Sequence, residues 1–292
     1  MTIADRKKHA ITAYIMVAPY FILFGLFKAY PFFQSIVLTM FKWDIFRSPE
    51  FIGFANYVRM FKDQTFWNTL LSTFRFTVLS VPPLIIFGFV LALIVNGNVR
   101  NRNLLRTGFF IPYIFSVTVV SLTWQMMCNY NYGFFNMLLR SLHLPALQWL
   151  NTKHLGMISV SMTTVWWTVG FNFLLYLSGL QQIPKTVYEA ASIDGAKKFK
   201  QTLFITIPMT IRTHILAIIL QVISCLQVFA QVYIMLEKGS PGGKNKVLMV
   251  YLYDKAFCDF QMGYAQTIAF FFFIIMLSVS LLQLKVMSRK EY

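Results

Sequence analysis

The stretch Glu189-Ala190-Ala191-Ser192-Ile193-Asp194-Gly195-Ala196 is a short polar island between two long apolar runs, near 155–180 and 209–236. Pro184 suits the first turn of a helix, where its missing N–H costs nothing. From Lys185 to Ile193 the residues favour a short helix, and Ala190 and Ala191 give it a flat side that a partner can approach closely. Gly195 is placed to leave that helix with positive φ at little cost. A second short helix is expected from Ala196 towards Pro208, with Phe199 and Phe204 facing the protein. The result is an elbow projecting from whatever the apolar runs build.

Those runs build a membrane bundle. Of 292 residues, 57% are hydrophobic and only 12% charged, a balance no soluble domain of this length tolerates. Six apolar segments are long enough to cross a bilayer at about 20 residues per span. They lie near 11–40, 70–95, 107–129, 155–180, 209–236 and 261–285. The first carries Pro19, Lys28 and Pro31 and is expected to kink. Residues 1–10 look like the start of a signal peptide, but the long apolar run that follows has no small-x-small cleavage site, so it reads as a retained span. Gly88 and Ala92 form a small-x-x-x-small pair that lets another helix approach. The formal net charge of +16 does not point to nucleic acid, because the bases sit in short clusters between apolar runs. Cys128, Cys225 and Cys258 have no metal-ligand spacing and read as free thiols.

Orientation follows from Lys and Arg. With the N-terminus inside, the inner segments hold Arg6, Lys7 and Lys8; Arg100, Arg102 and Arg106; Lys185, Lys197, Lys198 and Lys200; and Lys285, Arg289 and Lys290. The outer loops hold Lys42, Arg47, Arg59, Lys62, Arg140, Lys153, Lys238, Lys244, Lys246 and Lys255, together with most of the acids. The inner excess is modest but falls on shorter loops, and the positive-inside rule places both termini and the elbow in the cytoplasm. The aromatic stretch 42–69, with Trp43, Phe54, Tyr57 and Trp67, reads as an outer interfacial segment.

The spacing E-A-A-x-x-D-G-A, followed by I-x-I-P at Ile205, Ile207 and Pro208, resembles the cytoplasmic EAA loop of binding-protein-dependent ABC importers. Further segments are similar to the carbohydrate-uptake branch: Gly53-Phe54-Ala55-Asn56-Tyr57, Phe109-Phe110-Ile111-Pro112-Tyr113 and Tyr132-Gly133-Phe134-Phe135-Asn136. So are Gly179-Leu180-Gln181-Gln182-Ile183-Pro184, Gly239-Ser240-Pro241-Gly242-Gly243 and Met262-Gly263-Tyr264-Ala265. Together they resemble the first of the two permease subunits of maltose- and glycerol-phosphate-type systems. Ile207 stands where that family usually has Leu, and the glycine-rich turn is altered around Ser240. The resemblance implies an all-α, six-helix polytopic protein with the type I ABC importer permease fold. It would be one transmembrane permease domain over 1–292, with its core at about 70–285 and its coupling loop at 181–208. The coupling residues carried over are Glu189, Ala190, Ala191, Asp194, Gly195 and Ala196. Implied partners are a second, related permease subunit, two ATP-binding subunits, an extracytoplasmic solute-binding protein and membrane lipid. ATP and Mg belong on the partner ATPase, with no cofactor in this chain, and the implied location is a bacterial cytoplasmic membrane.

The residues agree with a non-enzymatic subunit. No G-x-x-x-x-G-K-[ST] phosphate-cradling loop occurs, no catalytic or metal constellation is evident, and His9, His143, His154 and His214 lie far apart. Polar groups within spans are expensive unless used. In the fourth span, Thr164, Trp167, Thr168 and Phe171 fall on one helical face, and in the fifth Gln221, Ser224, Cys225 and Val228 repeat that spacing, with Gln227 and Gln231 alongside. An aromatic face beside amides and hydroxyls suits a sugar, whose C–H face stacks while its hydroxyls hydrogen-bond. The competing reading is that these groups fasten helices together. Trp124, Gln125 and Asn129 are a second choice. A carbohydrate, expected to be an oligosaccharide, is therefore the anticipated solute, with glycerol-phosphate or another polyol as the alternative. An ion-coupled secondary transporter would need intramembrane carboxylates or a proton relay, which the spans lack.

Overall fold

A computed structural model describes residues 3–288 apart from 45, 47, 98–100, 240–242 and 244. Of the charges used for orientation, Arg47, Arg100, Lys244, Arg289 and Lys290 lie outside the described residues, as do the side chains of Arg6, Lys7, Lys8 and Lys153. Ser240, Pro241 and Gly242 of the glycine-rich turn lie outside them too.

The chain is helical almost throughout. Helix α1 (Ile3–Phe24) passes through a π turn at Gly25–Ala29 into α2 (Tyr30–Leu38). A two-residue hairpin, β1 (Phe41–Lys42) and β2 (Glu50–Phe51), leads to α3 (Ala55–Lys62) and the long α4 (Gln64–Asn96). Then come α5 (Arg102–Ile114), α6 (Val117–Met127), α7 (Phe134–Ser141) and α8 (Lys153–Gln181). The elbow comprises α9 (Lys185–Ile193), α10 (Lys198–Gln201), a π turn at Thr202–Thr206 and α11 (Ile207–Met209). It is followed by α12 (Ile211–Leu226), α13 (Ala230–Met235), α14 (Leu248–Tyr253) and α15 (Met262–Ser288). These two π turns have a common cause. Pro31 and Pro208 cannot donate to the carbonyl four residues back, and their rings crowd it, so the preceding turn widens instead of breaking.

Among the described residues, four helices are long and apolar enough to cross a membrane: Tyr14–Leu38, Gln64–Asn96, His154–Gln181 and Met262–Lys285. Two bent pairs bring the number up to six, Arg102–Ile114 with Val117–Met127 at 92° and Lys198–Met209 with Ile211–Leu226 at 67°. The third span is therefore not the continuous helix expected over 107–129. Phe115 and Ser116 are extended, and the Ser116 hydroxyl caps α6 by accepting from Val119 N at 3.4 Å. The fifth apolar run also divides, because α12 stops at Leu226 and α13 begins only at Ala230. Val228 thus falls out of the helical register that Gln221, Ser224 and Cys225 share.

The chain separates into two compact units, one holding the residues up to Asp63 with Leu252–Ile274, the other Gln64–Tyr251 with the residues from Ile275 onward. In the first, the start of α15 is clamped by polar contacts. Tyr264 Oη donates to Asp63 Oδ2 at 2.7 Å, Arg59 donates to Gln261 Oε1 at 2.8 Å, and the guanidinium lies 4.1 Å over the Tyr264 ring. Asn56, buried, donates to the carbonyls of Thr39 and Phe41 and so fastens α3 to the hairpin.

In the second unit α4 and α8 lie against each other. A Cβ built on Gly88 would come within 2.7 Å of Asn172 Cβ, so only glycine permits this approach. Ser80 Oγ donates to Ser161 Oγ at 3.0 Å across the same seam. One apolar cluster centres on Phe76, Leu84, Val160, Cys225 and Val232, the other on Phe89, Ala92, Phe173, Tyr176 and Ala217. Lipid tails are as apolar as these side chains, so close packing and hydrogen bonds, not apolar burial, hold the seam.

Candidate coupling elbow and translocation face

The first limb of the elbow closes at the glycine that its sequence marks. Gly195 has φ +78° and closes α9 with paired bonds, Ala196 N to Ala191 O at 2.9 Å and Gly195 N to Ser192 O at 3.1 Å. This is the Schellman arrangement, in which the left-handed residue lets two terminal carbonyls be satisfied at once. Gln201 Nε2 then donates to Ser192 Oγ and Ala196 O, each at 2.9 Å, locking the second limb onto the first. Tyr188 Oη and Thr206 Oγ1, 3.0 Å apart, form a second tie.

Glu189, Ala190, Asp194 and Gly195 are exposed and Ala196 is half-buried, whereas Ala191 is buried. The flat side expected of both alanines therefore belongs to Ala190, because Ala191 faces inward where its carbonyl closes the cap. Phe199 and Phe204 also depart from expectation. They are 79% and 70% exposed and, with Ile193 at 87%, present apolar rings outward. The widened π turn rotates the second limb, and its inward contacts are the polar ones of Gln201 and Thr206.

Next to the elbow, α5 is fastened to the end of α8. With the Gln181 amide turned to suit its neighbours, its oxygen accepts from Arg102 at 3.2 Å and from Arg106 at 2.5 Å, and Arg102 also donates to Asn96 Oδ1 at 3.0 Å. Farther along α8, Tyr176 Oη and His214 Nδ1 are 2.8 Å apart, and the imidazole packs against Phe89. Sequence reasoning took Arg102 and Arg106 only as orienting charges and His214 only as a histidine far from the other three. The tie became visible only once α5, α8 and α12 were side by side.

The candidate solute residues divide into two groups. Thr164, Thr168, Gln221, Cys225 and Val228 are buried. Thr164 and Thr168 donate to carbonyls one turn back, and Gln231 Nε2 donates to Thr164 Oγ1 at 3.2 Å. Cys225 and Val228 belong to the core cluster of this unit. Trp167 and Phe171 are half-buried and Ser224 and Gln227 exposed. Trp167 Nε1 donates to Phe115 O at 3.1 Å, the carbonyl freed by the break before α6. Tyr113 lies 5.5 Å from Phe171 and 6.1 Å from Trp167, completing an aromatic trio on α5 and α8. Tyr113 was not among the candidates; Pro112 and Ser116, which break the helix beside it, were the available signal.

A spanning bundle with one polar elbow and one accessible aromatic face matches a known family. The profile described as "Binding-protein-dependent transport system inner membrane component" covers residues 52–291. The chain belongs to that family. It is 35% identical over 285 residues to the probable ABC transporter permease protein YurN of Bacillus subtilis, covering 96% of this chain and 97% of that one. It is 33% identical to the trehalose/maltose transport system permease protein MalF of Thermococcus litoralis, over 96% and 95% of the two chains. In a solved bacterial ABC transporter that imports the acidic polysaccharide alginate, one chain superimposes with a TM-score of 0.87 at 22% identity, covering 98% of both. At that identity the likeness establishes the fold alone. The permease is thus an inner-membrane transport subunit with the ABC importer permease fold.

Proposed function

We propose that this permease is one of two related membrane subunits of an ATP-driven importer and that its solute is a carbohydrate, preferentially an oligosaccharide. A solute-loaded extracytoplasmic binding protein delivers to the pair. Two ATP-binding subunits, which carry the ATP and Mg, close beneath the elbows, and the elbow passes that motion into the spans. The exposed acid–alanine–glycine surface of Glu189, Ala190, Asp194 and Gly195, held rigid by the Schellman closure and Gln201, carries the coupling reading. Both termini and the elbow face the cytoplasm in this scheme, as the lysines and arginines favour.

The carbohydrate reading draws on relatives named for trehalose/maltose, arabinooligosaccharide and lactose transport. It also draws on the accessible trio of Tyr113, Trp167 and Phe171, with Ser224 and Gln227 as hydrogen-bonding groups. The buried Thr164, Thr168, Gln221, Cys225 and Val228 act in support, by fixing the helices that carry this face. Trp167→Ala tests the assignment in the complete transporter. A stacking contact is worth about 0.5–1.5 kcal/mol beyond its area, so uptake per assembled complex should fall by about twofold to tenfold with basal ATP hydrolysis kept. Unchanged uptake per complex would remove the face from the solute path.

A further inference from the structure

At the end of α8 remote from the elbow, roughly 40 Å away at 1.5 Å per residue, the second unit holds a cup of about 410 Å³. That volume lies in the ~300–1,000 Å³ range of small-molecule sites. The two larger grooves described in this unit, along α4 and α8, are walled mainly by Leu, Val, Phe and Met side chains. The cup differs in chemistry. Amides of Asn129, Asn131, Gln148 and Asn151 line it, with Tyr130 and Tyr132.

Its backbone is pinned while its side chains are left open. Asn136, fully buried, donates to Tyr130 O and Leu147 O and accepts from Leu147 N and Trp149 Nε1, all at 2.9–3.1 Å. Arg140 donates to Asn131 O at 2.9 Å and Tyr130 O at 3.1 Å. Asn129 Oδ1 accepts from Asn131 N at 2.9 Å. Among the described residues, the side-chain amides of Asn131, Gln148 and Asn151 and the hydroxyls of Tyr130 and Tyr132 make no hydrogen bond to protein. Such a ring of donors and acceptors beside the Trp149 indole suits a polyhydroxylated ligand.

The charge is one-sided. Glu237 is the single carboxylate, and no Lys, Arg or His stands beside it, among the described lining residues. Glu237, exposed, and Lys238 sit at φ +45° and +67°, a left-handed pair of non-glycine residues. Among the described residues, the Arg140 guanidinium is held by the two lining carbonyls and the Lys238 ammonium lies over the Tyr233 ring.

We propose that this cup is a receiving subsite for a neutral oligosaccharide, met before the solute reaches the aromatic face. A uronate or phosphate would be repelled by Glu237. The proposal rests on the carbohydrate reading above and narrows it.

The test uses the complete transporter in nanodiscs without binding protein, read by saturation-transfer NMR. The probes are maltotriose, arabinotriose and raffinose as neutral sugars and trigalacturonate as the acidic one. At least one neutral sugar should give a signal that Trp167→Ala retains. The double variant Gln148→Ala/Asn151→Ala should lower it by about tenfold, the effect of losing two ordinary hydrogen bonds. Glu237→Gln should raise the trigalacturonate signal. A silent wild type, an undiminished signal in the double variant, or trigalacturonate binding the wild type as well as the neutral sugars would each overturn the proposal. If the double variant instead weakens binding of the solute-free binding protein and leaves the sugar signal intact, the cup is a protein contact and the proposal fails. Binding-protein-dependent uptake by the wild type, measured in parallel, judges the carbohydrate reading separately.

Discussion

Gly195 shows how one backbone angle fixes the shape of the elbow. A Cβ added there would meet nothing within 4 Å, so the case for glycine is conformational alone. A β-branched residue held at φ +78° should lose about 1–2 kcal/mol, enough to populate elbows in which the cap is open. Gly195→Val should therefore reduce recovery of the ATP-binding subunits with the permease by several-fold while leaving membrane insertion unchanged. Gly195→Asn, which tolerates the left-handed region, should restore most of it. Co-purification of the complex measures both, and wild-type recovery with valine would refute the elbow reading. The glycine was legible in the sequence because its cost is local. The inward turn of Ala191 was not, because it depends on which carbonyls close the cap.

At the scale of elements, the long spans were legible for a simple reason. Bilayer thickness sets a length, and length and apolarity survive any packing arrangement. The breaks at Phe115–Ser116 and after Leu226 were not, since apolar composition continues across both and only the caps and neighbouring helices reveal them. Candidate solute residues chosen by helical spacing inherited that error at Val228, and burial separated the rest. The cup was illegible for a related reason: its lining comes from the ends of α6 and α13 and the loops around α7, and no single period connects them. The thiols offer a test of how the elements lie in the membrane. Cys128 and Cys225 are 3% exposed, while Cys258 is exposed in the turn before α15. A membrane-impermeant maleimide should label Cys258 in intact cells, and Cys258→Ser should abolish labelling. Lys198→Cys in that background should label only after permeabilisation. Labelling of residue 198 from outside would invert the topology.

For the whole molecule, the polar and aromatic groups fall at three places along α8. The elbow and the Arg102–Arg106–Gln181 tie lie at one end of α8, the open amides of the cup at the other, with Trp167 and Phe171 between them. No charged cluster among the described residues groups three His, Cys, Asp or Glu side chains as a metal site would. The candidate solute faces are aromatic, amide and hydroxyl in character, which suits a neutral polyhydroxylated cargo moved by force applied at the elbow. The decisive measurement is uptake of labelled neutral trisaccharides into liposomes holding the complete transporter, with binding protein outside. ATP is supplied within, on the elbow's side, or replaced by an imposed proton or sodium gradient. Uptake should require both ATP and binding protein and should be absent with either gradient alone. Gradient-driven uptake without ATP would contradict the account.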